Sequence, residues 1–63
     1  MTVLILKTDK RLGVKQGEIY KAKPYQFDPA SKVTLLGKIS PKTGMVSKKD
    51  PCCNQYRSDV KVL

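Results

Sequence analysis

Glycine and proline recur along this chain at short intervals, and this spacing favours strands over helices. Four Gly and four Pro are spread over 63 residues, and the segments between them are rich in β-branched residues. Short β-branched runs that are bounded by turn residues are typical of strands. No segment shows sustained helical periodicity, so the sequence predicts an all-β chain.

A single domain covering residues 1–63 is expected, because a chain this short has enough apolar residues for only one small core. Five runs are predicted as strands: 2–7, 18–27, 32–39, 45–47 and 59–63. The first and last of them are expected to pair, because closure removes otherwise exposed sheet edges. The predicted architecture is a small five-stranded antiparallel barrel or a strongly bent sheet.

Two proline-containing segments are predicted as turns. Residues 28–31 are Asp-Pro-Ala-Ser, with Asp first and Pro second, as a type I turn prefers. Residues 40–44 again place Pro second and end on Gly44, which is typical of a type I turn followed by a left-handed residue. Pro24 has no amide hydrogen and is therefore expected at a sheet edge or a bulge.

The turn at 28–31 predicts how the second and third strands pair. If Asp28 and Ser31 close the turn, one side of the hairpin is apolar and the other is basic. The expected inner residues are Tyr20, Ala22, Pro24, Val33, Leu35, Gly37 and Ile39. The expected outer pairs are Phe27 with Lys32, Tyr25 with Thr34, Lys23 with Leu36, and Lys21 with Lys38. A slip of one residue would invert one strand, so the agreement between the two strands supports this arrangement.

The charge of the chain points to an anionic partner. Thirteen Lys and Arg stand against five Asp and Glu, a formal net charge of +8. Eleven of these cations are Lys, which suits single contacts to phosphate better than the paired hydrogen bonds by which Arg reads bases. An acidic patch on a protein would also be attracted, and a merely solvated surface is the remaining alternative.

The outer face of the hairpin is the predicted binding surface for nucleic acid or another partner. Its residues are Lys21, Lys23, Tyr25, Phe27, Lys32, Thr34, Leu36 and Lys38. The lysines would contact phosphates, and the aromatic rings would stack on bases. Lys21 opposite Lys38 would be repulsive without an anion nearby. The structural alternative is that Phe27 and Leu36 cover an edge of the core while the lysines keep an edge strand soluble.

Two loop segments are secondary candidates. A second basic cluster in or beside the first loop consists of Lys7, Lys10, Arg11 and Lys15. Loops on a rigid scaffold commonly carry function, although a solvated loop of this composition is ordinary. The irregular stretch 48–58 suits either a recognition loop or a packed cap. The cap is favoured, with Tyr56 pointing inward and at most one helical turn around 53–57.

The chain is predicted not to be an enzyme, and no cofactor or metal is expected. It has no His, and its five carboxylates are scattered along the sequence. Cys52 and Cys53 are adjacent, so they cannot close a long loop as a disulfide, and no His is present to activate them. Reduced thiols are favoured over an intermolecular disulfide, a shared metal or a redox role.

Neither a membrane span nor an export signal is predicted. The longest apolar run, 3–6, is far shorter than the ~20 residues that span a bilayer. It also lacks the charged region and the cleavage site of a signal peptide. A cytoplasmic, intracellular protein is therefore expected, and its oligomeric state is left open.

Residues 17–22, Gly-Glu-Ile-Tyr-Lys-Ala, follow a polar loop and open a long strand. In this feature and in strand spacing the chain resembles the broad class of small SH3-like β-barrels, which implies a five-stranded antiparallel SH3-like barrel. Basic archaeal chromatin barrels are similar in size and charge, which favours nucleic acid as the partner. Short basic domains of this kind also resemble small phage-encoded proteins that bind a host protein.

Two functions follow from these observations. The first is a nucleic-acid-binding domain that uses the outer face with little sequence specificity. The second is a protein–protein interaction module, such as a phage-encoded inhibitor or adaptor, that docks this face or the stretch 48–57 on an acidic host protein surface. In the second, rim lysines would speed association, and Tyr25, Phe27 or Tyr56 would act as anchors.

Overall fold

The computed structural model describes residues 1–47 and 53–63, whose strands all pair antiparallel in one sheet. The strands are β1 (Thr2–Ile5), β2 (Ile19–Pro24), β3 (Lys32–Ile39), β4 (Asn54–Tyr56) and β5 (Val60–Val62). Their order is β4-β3-β2-β1-β5, and a 3₁₀ helix at Arg57–Asp59 joins β4 to β5. No α-helix occurs in the described residues, so the all-β prediction is confirmed. The sheet is open there, with β4 and β5 as its edges.

The first and last strands pair as predicted. Val3 lies opposite Val62, and Ile5 lies opposite Val60. This pairing makes β1 an interior strand, with β2 on its other side. It also brings the two ends of the described chain together, since the amide of Leu63 donates to the carbonyl of Thr2 at 2.9 Å.

One face of the sheet carries the core. The buried apolar residues are Val3, Ile5, Val14, Tyr20, Ala22, Val33, Leu35 and Val60. Val14 comes from the first loop, which folds back through the paired backbone bonds between Asp9 and Val14 at 2.9 and 3.2 Å. Complete burial of a Val or Leu side chain contributes roughly 1.5–3 kcal/mol, so each of these residues stabilises the fold. Among the predicted inner residues of the hairpin, only Pro24 and Ile39 are not buried.

Pro24 ends β2 just beyond the level of Thr2, the first residue of the neighbouring strand β1. The amide of Ala22 donates to the carbonyl of Met1 at 2.8 Å, and the amide of Tyr25 donates to Lys32 in β3 at 3.1 Å. Because amides point alternately to the two sides of a strand, the nitrogen of Pro24 faces the same side as the amide of Ala22, which is the side of β1. At the level of Pro24 no described residue of β1 lies on that side. The predicted edge position is therefore confirmed locally, although β2 is an interior strand.

The loop between β2 and β3 contains two consecutive turns where one was predicted. The amide of Ser31 donates to the carbonyl of Asp28 at 3.3 Å, so the predicted turn at 28–31 forms. The amide of Asp28 donates in turn to the carbonyl of Tyr25 at 3.2 Å, which adds a second turn before it. The longer loop shifts the pairing of the two strands by two residues.

This shift overturns the predicted pairs near the loop. Tyr25 lies opposite Lys32, and Lys23 lies opposite Thr34. The wrong predictions are the pairs Phe27 with Lys32, Tyr25 with Thr34, and Lys23 with Leu36. Between the loop and Leu36 the two faces nevertheless stay as predicted, because side chains alternate with a period of two and a two-residue shift leaves every side chain there on its own side.

A bulge in β3 changes the register again. Lys21 lies opposite Gly37 instead of Lys38, and Leu36 is the extra residue that the bulge accommodates. The predicted pairing of Lys21 with Lys38 is therefore wrong. The repulsion expected between their ammonium groups does not arise from this register.

The segment after β3 turns back as predicted but barely pairs. Gly44 has a φ of 71°, so its predicted left-handed conformation is confirmed, and its amide donates to the carbonyl of Ser40 at 2.8 Å. In the predicted strand 45–47, however, only Val46 forms a bridge, with Ile39.

Gly37 provides the space for this returning segment. A Cβ atom at Gly37 would lie 2.5 Å from the carbonyl oxygen of Ser47 and 2.6 Å from Cγ1 of Val46. The amide of Ser47 donates to the carbonyl of Lys38 at 2.8 Å, which holds the segment against β3. A glycine inside a strand is typical of such a close backbone approach.

β4 occupies residues 54–56 of the stretch 48–58 that was predicted to be irregular, so that prediction is wrong for these residues. At most one helical turn was predicted around 53–57, and the helical turn that forms in the described residues is the 3₁₀ helix at Arg57–Asp59. Val33 lies opposite Gln55, whose side chain is turned to the core and only 4% exposed. Its amide nitrogen Nε2 donates to Sγ of Cys53 at 3.6 Å, and Cys53 is half-buried against the core. The predictions for 48–52, including Cys52, fall outside the described residues.

Gly37→Ala tests the close approach. The added methyl group must push the segment 45–47 away from β3, so we expect the free energy of unfolding to fall by about 1–3 kcal/mol, as for other overpacked sites. Urea unfolding followed by circular dichroism measures this change. A loss below about 0.5 kcal/mol would show that Ser47 does not lie over Gly37 in solution.

Candidate nucleic-acid interface

Tyr25, Lys32 and Tyr56 form a row across three strands at one end of the outer face. Tyr25 lies opposite Lys32, and Lys32 lies opposite Tyr56. The Lys32 ammonium is 5.9 Å from the centre of the Tyr25 ring and 4.9 Å from the centre of the Tyr56 ring. Both distances are in the range of cation–π contacts, each worth about 0.5–1 kcal/mol at an exposed site. We call these three residues the tyrosine–lysine row.

Phe27 continues the row into the hairpin loop. Its ring centre is 5.6 Å from that of Tyr25, and the two planes meet at 71°, an edge-to-face arrangement. Phe27 is 79% exposed, so it does not cover an edge of the core, and that alternative is wrong for this residue. Its ring is the most exposed of the large apolar side chains in the described residues.

A second row lies two residues further along the strands, roughly 7 Å away. It consists of Lys23, Thr34 and Asn54, which face each other across β2, β3 and β4. The hydroxyl of Thr34 donates to Oδ1 of Asn54 at 2.7 Å, which orients the amide of Asn54. Lys23 is exposed at the start of this row, so its ammonium adds a positive charge next to polar hydrogen-bonding groups.

Lys21 and Leu36 extend the outer face as far as the bulge. Lys21 is exposed, and Leu36 is half-buried. The alternative that Leu36 covers an edge of the core is therefore partly supported, because part of that side chain is covered. Lys21 continues the line of positive charge that begins at Lys23 on the same strand.

Lys38 does not add an unpaired positive charge to the outer face. It lies opposite Tyr20, and its ammonium forms an ion pair with the carboxylate of Glu18. Glu18 also accepts the amide of Lys15 at 2.7 Å. The hydrogen bond from Lys38, and then that from the amide, lower the pKa of Glu18 below 4.5, and they outweigh the opposing effect of burial. The positive charge of Lys38 is thus balanced within the protein.

Arg57 fastens the hairpin loop to the end of β4. Its side-chain Nε donates to the carbonyl of Pro29, and its amide donates to the carbonyl of Ser31, both at 2.8 Å. These bonds hold the loop that carries Phe27 beside the strand that carries Tyr56.

The predicted second basic cluster is divided between two sites. Lys7, Lys10, Arg11 and Lys15 are all exposed. Lys7 and Arg11 line a cleft of about 360 Å³ between the first loop and β4, whereas Lys10 and Lys15 line a different hollow on the loop. The remaining walls of the cleft are Thr8, Asp9, Asn54, Gln55, Tyr56, Ser58 and Asp59. We call this space the loop cleft.

The predicted binding surface left out two members of this face, Asn54 and Tyr56, although Tyr56 was predicted as a possible anchor for a protein partner. Tyr56 was expected inside a packed cap, but it is 57% exposed, so that prediction is wrong. If 54–56 is taken as a strand, alternation places Asn54 and Tyr56 on one side and Gln55 on the other. The sequence signal for a strand at 54–56 was weak, because Asn and Gln are uncommon in strands and a polar residue occupies the inward position.

Comparison with protein-family models, with curated proteins and with solved structures finds no match. In the part of the chain that the structure describes, no three His, Cys, Asp or Glu side chains are grouped so that they could hold a metal. No helix within those residues is long and apolar enough to cross a bilayer.

The ion pair between Glu18 and Lys38 predicts a pH dependence of stability. The pKa of Glu18 is lower in the folded protein than its ordinary 4.5. Its contribution is therefore complete above pH 4.5 and is lost as the pH falls through the folded pKa. We expect Glu18→Gln to remove this part of the pH dependence.

Urea unfolding at several pH values between 3 and 6 measures the effect. Lys38→Gln is the matched control, because it removes the main cause of the lowered pKa and should reduce the same slope only in part. If wild type and Glu18→Gln have parallel profiles below pH 5, the ion pair does not form in solution.

Proposed function

We propose that this protein binds nucleic acid through the outer face of β2, β3 and β4, with little sequence specificity. The observation that supports this most directly is the tyrosine–lysine row, extended by Phe27. It combines exposed rings with positive charge on one rigid surface, as proteins that hold nucleic acid by stacking and phosphate contacts do. The net charge of +8 adds long-range attraction to a polyanion.

Each group on the face has a distinct part in this proposal. Lys21 and Lys23 are exposed and serve as phosphate contacts. Phe27 and Tyr56 offer ring surface for stacking, and Lys32, held between the tyrosines, keeps a positive charge beside them. Lysines position a backbone but read bases poorly, which is why little sequence specificity is expected. The proposed function is binding without catalysis, and we propose that the protein acts inside the cell.

The resemblance to small SH3-like barrels is consistent with this proposal but is not sufficient evidence for it. Folds of that class serve many partners, so the function must follow from the site and not from the sheet order. The site supports a polyanion because its charges are of one sign: Lys21, Lys23 and Lys32 are all positive.

A protein partner is the second candidate, and the exposure of Phe27 is the observation that favours it. A large ring that is 79% exposed is a suitable anchor for a pocket on another protein, with lysines at the rim. A pull-down from nuclease-treated lysate separates the two functions. A stoichiometric protein that survives nuclease treatment would favour this second candidate, whereas recovery of nucleic acid alone from untreated lysate would contradict it.

The salt dependence of binding tests the proposed function. We expect the double variant Lys21→Gln, Lys23→Gln to bind labelled DNA more weakly and with a flatter slope of log K against log salt. The slope should fall by about 1.8 on a duplex or about 1.4 on a single strand if each lysine neutralises one phosphate. Fluorescence anisotropy titrations at several salt concentrations give the slope.

The matched control changes the same net charge elsewhere. Lys42 lies in the turn after β3 and Lys61 lies in the edge strand β5, and both are exposed. Lys42→Gln, Lys61→Gln should keep most of the wild-type slope. Equal flattening by both double variants would show that only the overall charge matters. Absence of binding to DNA and RNA even at low salt would exclude the function.

A further inference from the structure

Three of the four aromatic residues of this chain gather at one end of the outer face. The chain has three Tyr and one Phe, and only Tyr20 lies in the core. Tyr25 and Tyr56 flank Lys32 instead, and Phe27 packs edge-to-face against Tyr25. A 63-residue domain has few large side chains with which to fill its core, so three rings at the surface represent a considerable loss of buried area.

The arrangement of these rings suits unstacked bases better than a duplex. In a duplex the faces of the bases are covered by their neighbours, and a basic surface holds it by phosphate contacts without any need for rings. In a single strand the bases can splay out and lie on aromatic side chains, and sheet faces with such rings bind two or three bases in this way. Phe27 and Tyr56 are 79% and 57% exposed, so both have ring surface to offer.

Tyr56 connects the aromatic group to the loop cleft, because it belongs to both. The cleft also presents the amide of Asn54 and the carboxylates of Asp9 and Asp59. These carboxylates repel a phosphate but accept hydrogen bonds from the amino groups on a base edge. Lys7 brings positive charge to the same cleft, whereas the guanidinium of Arg11, whose side chain is 91% exposed, lies 3.7 Å from the carboxylate of Asp9 and is partly balanced by it. The chemistry of the cleft therefore fits a base inside it and phosphates at its margin.

We propose that the ligand is single-stranded nucleic acid, with bases stacked on Phe27 and Tyr56 and the following base held in the loop cleft. This inference rests on the proposed function and adds to it the strandedness of the ligand and the path that the strand takes. The path runs from the hairpin loop, across the tyrosine–lysine row, to the first loop. Lys23 and Lys32 lie along it on one side, and Lys7 and Arg11 lie at its end.

Anisotropy titrations with a labelled oligothymidine and with a labelled duplex of equal length test the strandedness. We expect the wild-type protein to bind the single strand more tightly at the same salt concentration. Phe27→Leu and Tyr56→Leu keep an apolar side chain but remove a ring. Each should weaken single-strand binding by ~5- to 150-fold, the range that loss of one stacked base produces, and should leave duplex binding nearly unchanged.

Two further variants separate stacking from general damage. Tyr56→Phe keeps the ring, so it should bind the single strand more tightly than Tyr56→Leu does. Leu63→Ala changes a side chain that is 61% exposed beyond the end of β5, and it should bind like the wild type. Circular dichroism checks that all variants keep the fold, which is expected because each altered side chain is exposed.

The loop cleft has its own test. Lys7→Gln, Arg11→Gln should weaken binding of an oligodeoxycytidine of eight nucleotides, whose bases carry an amino group, but not of one too short to reach the cleft, such as a dinucleotide. Equal loss for both lengths would exclude the cleft from the path.

The outcomes distinguish this inference from the function on which it rests. If duplex and single strand bind equally and the leucine variants bind like the wild type, the single-strand proposal is wrong. The nucleic-acid function then still stands, provided that Lys21→Gln, Lys23→Gln flattens the salt slope. If no nucleic acid binds at low salt, both proposals are wrong, and a protein partner becomes the better explanation of the exposed rings.

Discussion

The hydrogen bonds of the two consecutive turns between Tyr25 and Ser31 determine how β2 and β3 pair, and the surface of the protein follows from that pairing. The amide of Asp28 closes the first turn and the amide of Ser31 closes the second. Because the loop is two residues longer on the β2 side than a turn closed by Asp28 and Ser31 alone, Tyr25 is brought opposite Lys32. Strand β4 then adds Tyr56 on the other side of Lys32. A tighter loop would have placed Phe27 opposite Lys32 and left Tyr25 further along the face.

Glycine at position 37 and the bulge at Leu36 have a comparable influence at the other end of β3. The bulge places Lys38 opposite Tyr20, and Lys38 is ion-paired with Glu18. The missing Cβ of Gly37 lets the chain return across β3. The lysines of the hairpin are consequently divided: Lys38 is balanced by a carboxylate, whereas Lys21 and Lys23 remain exposed at the surface. Electrostatic attraction to an anion is therefore concentrated toward the hairpin end of the outer face.

Much of this surface was predictable from local patterns, and the rest was not. The inner and outer faces of β2 and β3 were predicted correctly between the loop and Leu36, because alternation has a period of two and tolerates a two-residue error in register. Beyond Leu36 they were not, because the bulge shifts the register by one residue and places Gly37 opposite Lys21 and Lys38 opposite Tyr20. The pairs across the hairpin were not, since Asp28 and Pro29 favour a turn but do not show that a second turn precedes it. Tyr56 was misplaced because β4 is short and carries polar residues, so its pairing with β3 stabilises it more than its own strand propensity does.

The sequence by itself determined the class of fold, the inward and outward sides of the central hairpin as far as Leu36, the left-handed turn at Gly44 and the excess of positive charge. These properties depend on residue types and on spacing along the chain, which can be read without knowing what lies nearby. Only the tertiary structure decided which lysines are paired within the protein and which rings come together. Tyr25 and Tyr56 are far apart in the chain, and they meet around Lys32 because three strands lie side by side. Contacts between residues distant in sequence depend on register, and register is set by backbone hydrogen bonds that composition does not reveal.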